Sequence, residues 1–100
     1  MIDKKLLEEL NGMHVNLNQA TLGLNNNFRM VAFSKVGDRW LFKFYLEHDN
    51  PADREEVDDI VDQIEAIEWP DFKADVEVIV GKEPIPWPTD DARVVVRRRE

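Results

Sequence analysis

Residues 28–46 read FRMVAFSKVGDRWLFKFYL, two runs of β-branched and aromatic residues divided by Gly37 and Asp38. A Gly-Asp pair between such runs signals a two-residue β-hairpin, with strands expected from Phe28 to Val36 and from Arg39 to Leu46. Pairing Val36 with Arg39 sets the register. Phe33 then faces Phe42 and Val31 faces Phe44, so Val31, Phe33, Trp40, Phe42, Phe44 and Leu46 share one buried face. Met30, Ser34, Arg39, Leu41, Lys43 and Tyr45 fall on the other face, a mixed set expected to be partly exposed.

Downstream, His48-Asp49-Asn50-Pro51 breaks the strand. Asn50 as N-cap and Pro51 at the first helical position open a helix that runs to about Glu68 and stops at Trp69-Pro70. Its apolar stripe is Val57, Ile60, Val61, Ile64 and Ile67, spaced for docking on the sheet. Ala74, Val76, Val78 and Val80 alternate with Asp75, Glu77 and Ile79, which predicts a half-buried strand from Lys73 to Gly81. The run Pro84-Ile85-Pro86-Trp87-Pro88 cannot be a central strand, and Thr89-Asp90-Asp91 continue the connection. It reads either as a polyproline ligand for an aromatic groove or as a stiff connection whose Trp covers the edge of the core. A last strand is expected from Ala92 to Arg99, with Ala92, Val94 and Val96 inward and Arg93, Val95, Arg97 and Arg99 outward.

Upstream, Leu6, Leu7 and Leu10 predict a short helix over residues 3–12 that ends in a left-handed cap at Asn11-Gly12. Residues 13–27 fit two readings. Val15 and Leu17 alternate like a strand, while Ala20, Leu22 and Leu24 fit a short helix before the loop Asn25-Asn26-Asn27. The resulting order is α-β-β-α-β-β. The fold class is α+β, a two-layer sandwich in which a four-stranded, mainly antiparallel sheet carries its helices on one face.

The chain has 100 residues, enough for one domain with its own core and too few for a second, catalytic one. No cysteine is present, which excludes disulfides, thiolate metal sites and a cysteine nucleophile. The N-terminal residues do not resemble a signal peptide, and no apolar run is long enough to span a bilayer, so a soluble protein outside the membrane is expected. The formal charge is -8. It is unevenly placed: Glu47 to Asp71 holds eleven acids and only Arg54 as a base, and the rest of the chain is slightly basic. Such a balance disfavours nucleic acid and anionic lipid as partners.

Glu55, Glu56, Asp58, Asp59, Asp62 and Glu65 lie opposite or beside the apolar stripe of the central helix. Like charges three and four residues apart each cost a helix about 0.2 to 0.5 kcal/mol. Stability alone would favour interspersed lysines, so these six are the candidate protein-binding surface, with a merely solvated helix face as the alternative reading. A metal site or a catalytic dyad would need burial or a charged neighbour that drives two pKa values apart, and solvent-facing acids lack both. His14 and His48 stand far apart without ligand-spaced companions, Ser34 has no nucleophile elbow, and no glycine-rich phosphate loop exists. Neither catalytic residues nor a cofactor or metal is expected. Arg93, Arg97, Arg98 and Arg99 could touch phosphate, but the outward ones are expected to pair across the sheet with Asp75 and Glu77.

The hairpin Arg39-Trp40-Leu41-Phe42-Lys43-Phe44-Tyr45, the acidic helix, the Pro-Ile-Pro turn and the terminal Arg-x-Val-Val-x-Arg-Arg-Glu strand resemble the small bacterial immunity proteins of contact-dependent growth-inhibition systems. The resemblance spans Leu22 to Glu100. It implies a cytoplasmic, non-enzymatic inhibitor that binds a cognate protein toxin, often a nuclease. The alternative, from charge alone, is a small acidic adaptor or subunit docking on a basic protein in a regulatory or metabolic complex.

Overall fold

The computed structural model describes residues 4–88 and 92–99, in the order α1 (Lys4–Ala20), β1 (Phe28–Val36), β2 (Arg39–Leu46), α2 (Pro51–Glu68), β3 (Ala74–Val80) and β4 (Arg93–Arg97). The hairpin has the expected register, with Val36 opposite Arg39, Phe33 opposite Phe42 and Val31 opposite Phe44. Gly37 takes φ +64°, a left-handed value that a tight turn of this kind requires and that glycine adopts without strain. The sheet order is β3-β2-β1-β4. β1 is antiparallel to both β2 and β4, whereas β3 runs parallel to β2. The parallel pair follows from α2: its 18 residues, roughly 27 Å of helix, carry the chain back to where β2 began.

Both helices cover one face of the sheet. Leu10, Met13 and Leu17 of α1 join Val57, Ile60 and Ile64 of α2 in a core with Val31, Phe33, Phe42, Phe44 and Leu46, all of them buried. The stripe of α2 is narrower than its periodicity suggests, since Ile67 is 54% exposed.

α1 corrects the sequence reading of residues 3–12 and 13–27. One continuous helix replaces a short helix and an ambiguous stretch, and residue 3 itself lies outside the described residues. Leu6, Leu10, Met13 and Leu17 recur at helical spacing straight through Asn11-Gly12, and burying that stripe outweighs the roughly 1 kcal/mol that a mid-helix glycine costs. Val15 and Leu17 do not alternate as in a strand; Val15 is exposed and Leu17 fully buried. The helix ends where the Thr21 hydroxyl donates to the Leu17 carbonyl at 2.7 Å.

The outer sheet face also departs from expectation. Met30 is fully buried, because the segment 81–88 folds back over it and Ile85 packs on Met30, Ala32, Tyr45 and Val94. Arg29, itself buried, holds this strap by donating through Nη1 to the carbonyls of Gly81 and Glu83, both at 2.9 Å. Arg97 donates to the Ile85 carbonyl at 3.2 Å and lies 4.6 Å from the centre of the Trp87 ring. Of the two readings of the proline-rich run the stiff connection matches, but Ile85 rather than Trp87 seals the face. The Thr89-Asp90-Asp91 part of the connection lies outside the described residues.

β4 is shorter than Ala92 to Arg99, and a register break opposite Val31 and Ala32 changes which valines point inward. Val95 and Val96 both pack toward the helices while Val94 joins the outer face. The extra residue of a bulge turns the alternation over at that point. Asp75 and Glu77 cannot pair with the C-terminal arginines, because β3 and β4 are opposite edges of the sheet. Asp75 instead holds Arg39 at 2.8 Å, while Arg93 reaches Asn11 and Arg98 reaches Glu47.

Two substitutions check this packing. Phe44→Ala removes a fully buried ring from the centre of the core and is expected to lower stability in urea by about 3 to 5 kcal/mol. Gly12→Ala is expected to raise it by about 0.4 to 1 kcal/mol, since a Cβ at this helical position meets nothing within 4 Å.

Candidate functional site

The first turn of α2 is tied to the start of β1. Asn50 caps the helix by accepting from the Ala52 N–H at 2.9 Å. Asp53 is buried, and its carboxylate accepts from the side-chain amides of Asn25 at 2.8 Å and Asn27 at 2.7 Å. Asn27 also grips the main chain of His48, accepting from its N–H and donating to its carbonyl, each at 2.9 Å. The asparagine loop thus locks the end of β2 and the entry of α2 together, which orients the whole helix.

With Val57, Ile60 and Ile64 turned into the core, Glu55, Glu56, Asp58, Asp59, Asp62 and Glu65 are all exposed. Among the described residues none of these six carboxylates has an ion pair. Arg54, the one base of the segment, is occupied elsewhere: its Nε donates to Asp49 at 2.6 Å and holds that carboxyl below the usual carboxylate range. Glu47 is likewise held low by the hydrogen bond from Arg98. Nine of the eleven acids of the segment therefore sort by task. Glu47, Asp49 and Asp53 serve the fold, and the six helix acids stand uncompensated on the surface.

Sequence reasoning counted Asp53 with the other acids. Its place on the apolar stripe, at i, i+4, i+7 and i+11 with Val57, Ile60 and Ile64, is the signal that separates it.

No group of three or more His, Asp or Glu side chains suited to a metal occurs among the described residues. His14 packs edge-on against Phe33 with ring centres 5.9 Å apart, and His48 lies 3.0 Å from its neighbour Glu47. Ser34 lines a cleft of about 380 Å³ between the outer sheet face and the strap, beside Leu41, Lys43, Tyr45 and Trp87. That lining contains no histidine or carboxylate to activate a hydroxyl. No helix among the described residues is long and apolar enough to cross a membrane.

What this arrangement presents is a broad surface of like charge held on one helix, with no catalytic or metal-binding grouping among the described residues. Residues 12–100 match the MafI2 immunity protein family, and the chain belongs to that family. No curated protein matches it. The family match begins ten residues ahead of Leu22, so the second half of α1 lies within the matched region. Membership brings the role of an immunity protein, which binds and neutralises a cognate toxin.

The Asn-Asp clamp makes a stability prediction. Asp53→Ala leaves the amides of Asn25 and Asn27 without their acceptor and is expected to cost about 1 to 3 kcal/mol in urea denaturation. The six acidic positions are not part of the clamp, so Asp59→Ala should change stability by no more than about 0.5 kcal/mol.

Proposed function

We propose that this immunity protein neutralises a nuclease toxin in the cytoplasm by laying the acidic face of α2 over the toxin's basic substrate-binding surface. The observation that carries the reading is the set of six exposed carboxylates on one helix, without ion pairs among the described residues. A surface that holds phosphate must be basic. An opposing acidic face speeds encounter with it and selects it among other partners. The protein itself then needs no cofactor, metal or catalytic group and makes no contact with nucleic acid or membrane. The resemblance to contact-dependent growth-inhibition systems supports delivery of the toxin by a neighbouring cell. The family match favours this reading over a housekeeping adaptor, which would need no toxin.

Replacing Glu55, Asp59 and Asp62 together by lysine tests the surface. The probe is the toxic domain of the cognate toxin, recognised by the growth arrest it causes and this protein relieves. Affinity is expected to fall by about tenfold or more, chiefly through the association rate, and the remaining binding should respond less to salt. The circular dichroism spectrum should not change. Unchanged affinity in a folded variant would move the contact to the outer sheet face around Arg39, Lys43 and Tyr45. Occlusion also requires that nucleic acid and this protein compete for the toxin, so a ternary complex in a gel-shift assay would contradict it.

A further inference from the structure

β3 closes one side of the sheet and pairs only with β2. In a parallel ladder, alternate residues direct both main-chain groups toward the neighbour. Trp40 N–H donates to the Lys73 carbonyl at 2.8 Å and Gly81 N–H donates to the Leu46 carbonyl at 3.0 Å, so the odd-numbered residues face β2. Ala74, Val76, Val78 and Val80 therefore hold their N–H and C=O groups out from the free edge.

Sheet edges are ordinarily blunted by proline, lysine, a bulge or short length. β4 follows the rule, with five residues, arginine at each end and a register break. β3 does not. It has seven residues without proline or lysine, and its register with β2 runs unbroken from Ala74 to Val80.

The side chains along this edge have two characters. Val76 and Val80, on the helix side of the sheet, are 40% and 39% exposed. Glu68 lines a cleft with Gly12, Met13 and Asn16 of α1, so helical spacing puts the opposite flank of α2, with Glu56 and the exposed Ile67, toward β3. On the outer side of the sheet Asp75 and Glu77 stand on the edge strand itself. Asp75 carries Arg39, which belongs to β2, one strand spacing of about 4.8 Å further from any newcomer. Glu77 makes no ion pair among the described residues.

Resting on the toxin-neutralising role above, we propose that the β3 edge takes up an extended segment of the toxin as a fifth strand. That segment alternates aliphatic residues, which cover Val76 and Val80, with lysine or arginine, which face Asp75 and Glu77 directly across the new pair. Main-chain bonds supply the binding and the alternation supplies the choice of partner. A second copy of this chain is a poor occupant. Antiparallel pairing of two copies about the centre of β3 sets Glu77 against Glu77 and brings two acidic helices together.

The test is amide hydrogen exchange of the full chain, alone and with the inactivated toxic domain of the toxin whose growth arrest this protein relieves. In the complex the amides of Val76, Val78 and Val80 should slow by about tenfold or more, while those of Asp75, Glu77 and Ile79, already bonded to β2, change little. Val76→Pro removes one outward N–H and no bond to β2, so it should keep the fold and weaken toxin binding by about tenfold or more. Val76→Thr should bind as the parent does. If V76P unfolds the domain, V76K carries the test by opposing a basic strand without touching the backbone.

A toxin complex in which the three outward amides exchange as fast as in the free protein overturns the edge and leaves the immunity role standing. Protection of those amides without toxin, with a dimer in sedimentation equilibrium, overturns the basic segment in favour of a second copy. If the parent protein relieves the growth arrest of no toxin, the role and the edge are overturned together.

Discussion

Cross-strand pairing of Phe33 with Phe42 and Val31 with Phe44 is the constraint on which the remaining structure depends. Side chains on a strand alternate with a period of two, so a slip of one residue would send these four to the opposite face and present Lys43, Ser34 and Leu41 to the helices. The turn at Gly37 prevents that slip. With the register held, one face of the hairpin is large, apolar and aromatic, and each helix has only one stripe able to cover it. α1 and α2 therefore dock side by side on the same face, and the acidic side of α2 has no direction left but outward.

The opposite face is organised by arginine. Carbonyl oxygens of the strap converge on the buried guanidinium of Arg29 and help to offset its burial, and those same bonds fix the strap across the sheet. Arg97 does similar work from β4, between the Ile85 carbonyl and the Trp87 ring. Arg98 and Arg93 are bound to Glu47 and Asn11. Of the four arginines at the C-terminal end, Arg93, Arg97 and Arg98 are thus committed to internal anchoring, and Arg99 is exposed. With Arg29, Arg97 and Arg98 drawn into the strap and loops and the six helix acids without ion pairs among the described residues, α2 carries a large uncompensated share of the negative charge.

This distribution connects the fold to the family role. An inhibitor that must find one toxin quickly benefits from a long-range field with one sign, and must also hold its partner by contacts that discriminate at short range. Under the proposed function, the α2 acids would supply the first. The β3 edge lies beside the same helix and offers directional main-chain bonds, so charge attraction and strand pairing would act on one continuous surface.

Much of this was legible in the primary structure. The hairpin register, the Asn50-Pro51 helix start, the order of elements and the six exposed acids all follow from local patterns, because turn chemistry, capping and periodicity operate over a few residues. α1 escaped in part, since Asn11-Gly12 carries a local stop signal that only the stripe buried against the sheet overrides. The fate of Met30, Ile85 and Arg29 depends on a strap that reaches across more than fifty positions of sequence, and no local pattern encodes such a contact. The pairing of β3 with β2, and hence which strand is left with an open edge, was likewise decided by the path of α2 across the sheet. Sequence by itself determined which residues form strands and helices and which of them carry charge; tertiary structure decided which charges are spent inside and which remain for a partner, because ion pairing and burial depend on distance in space.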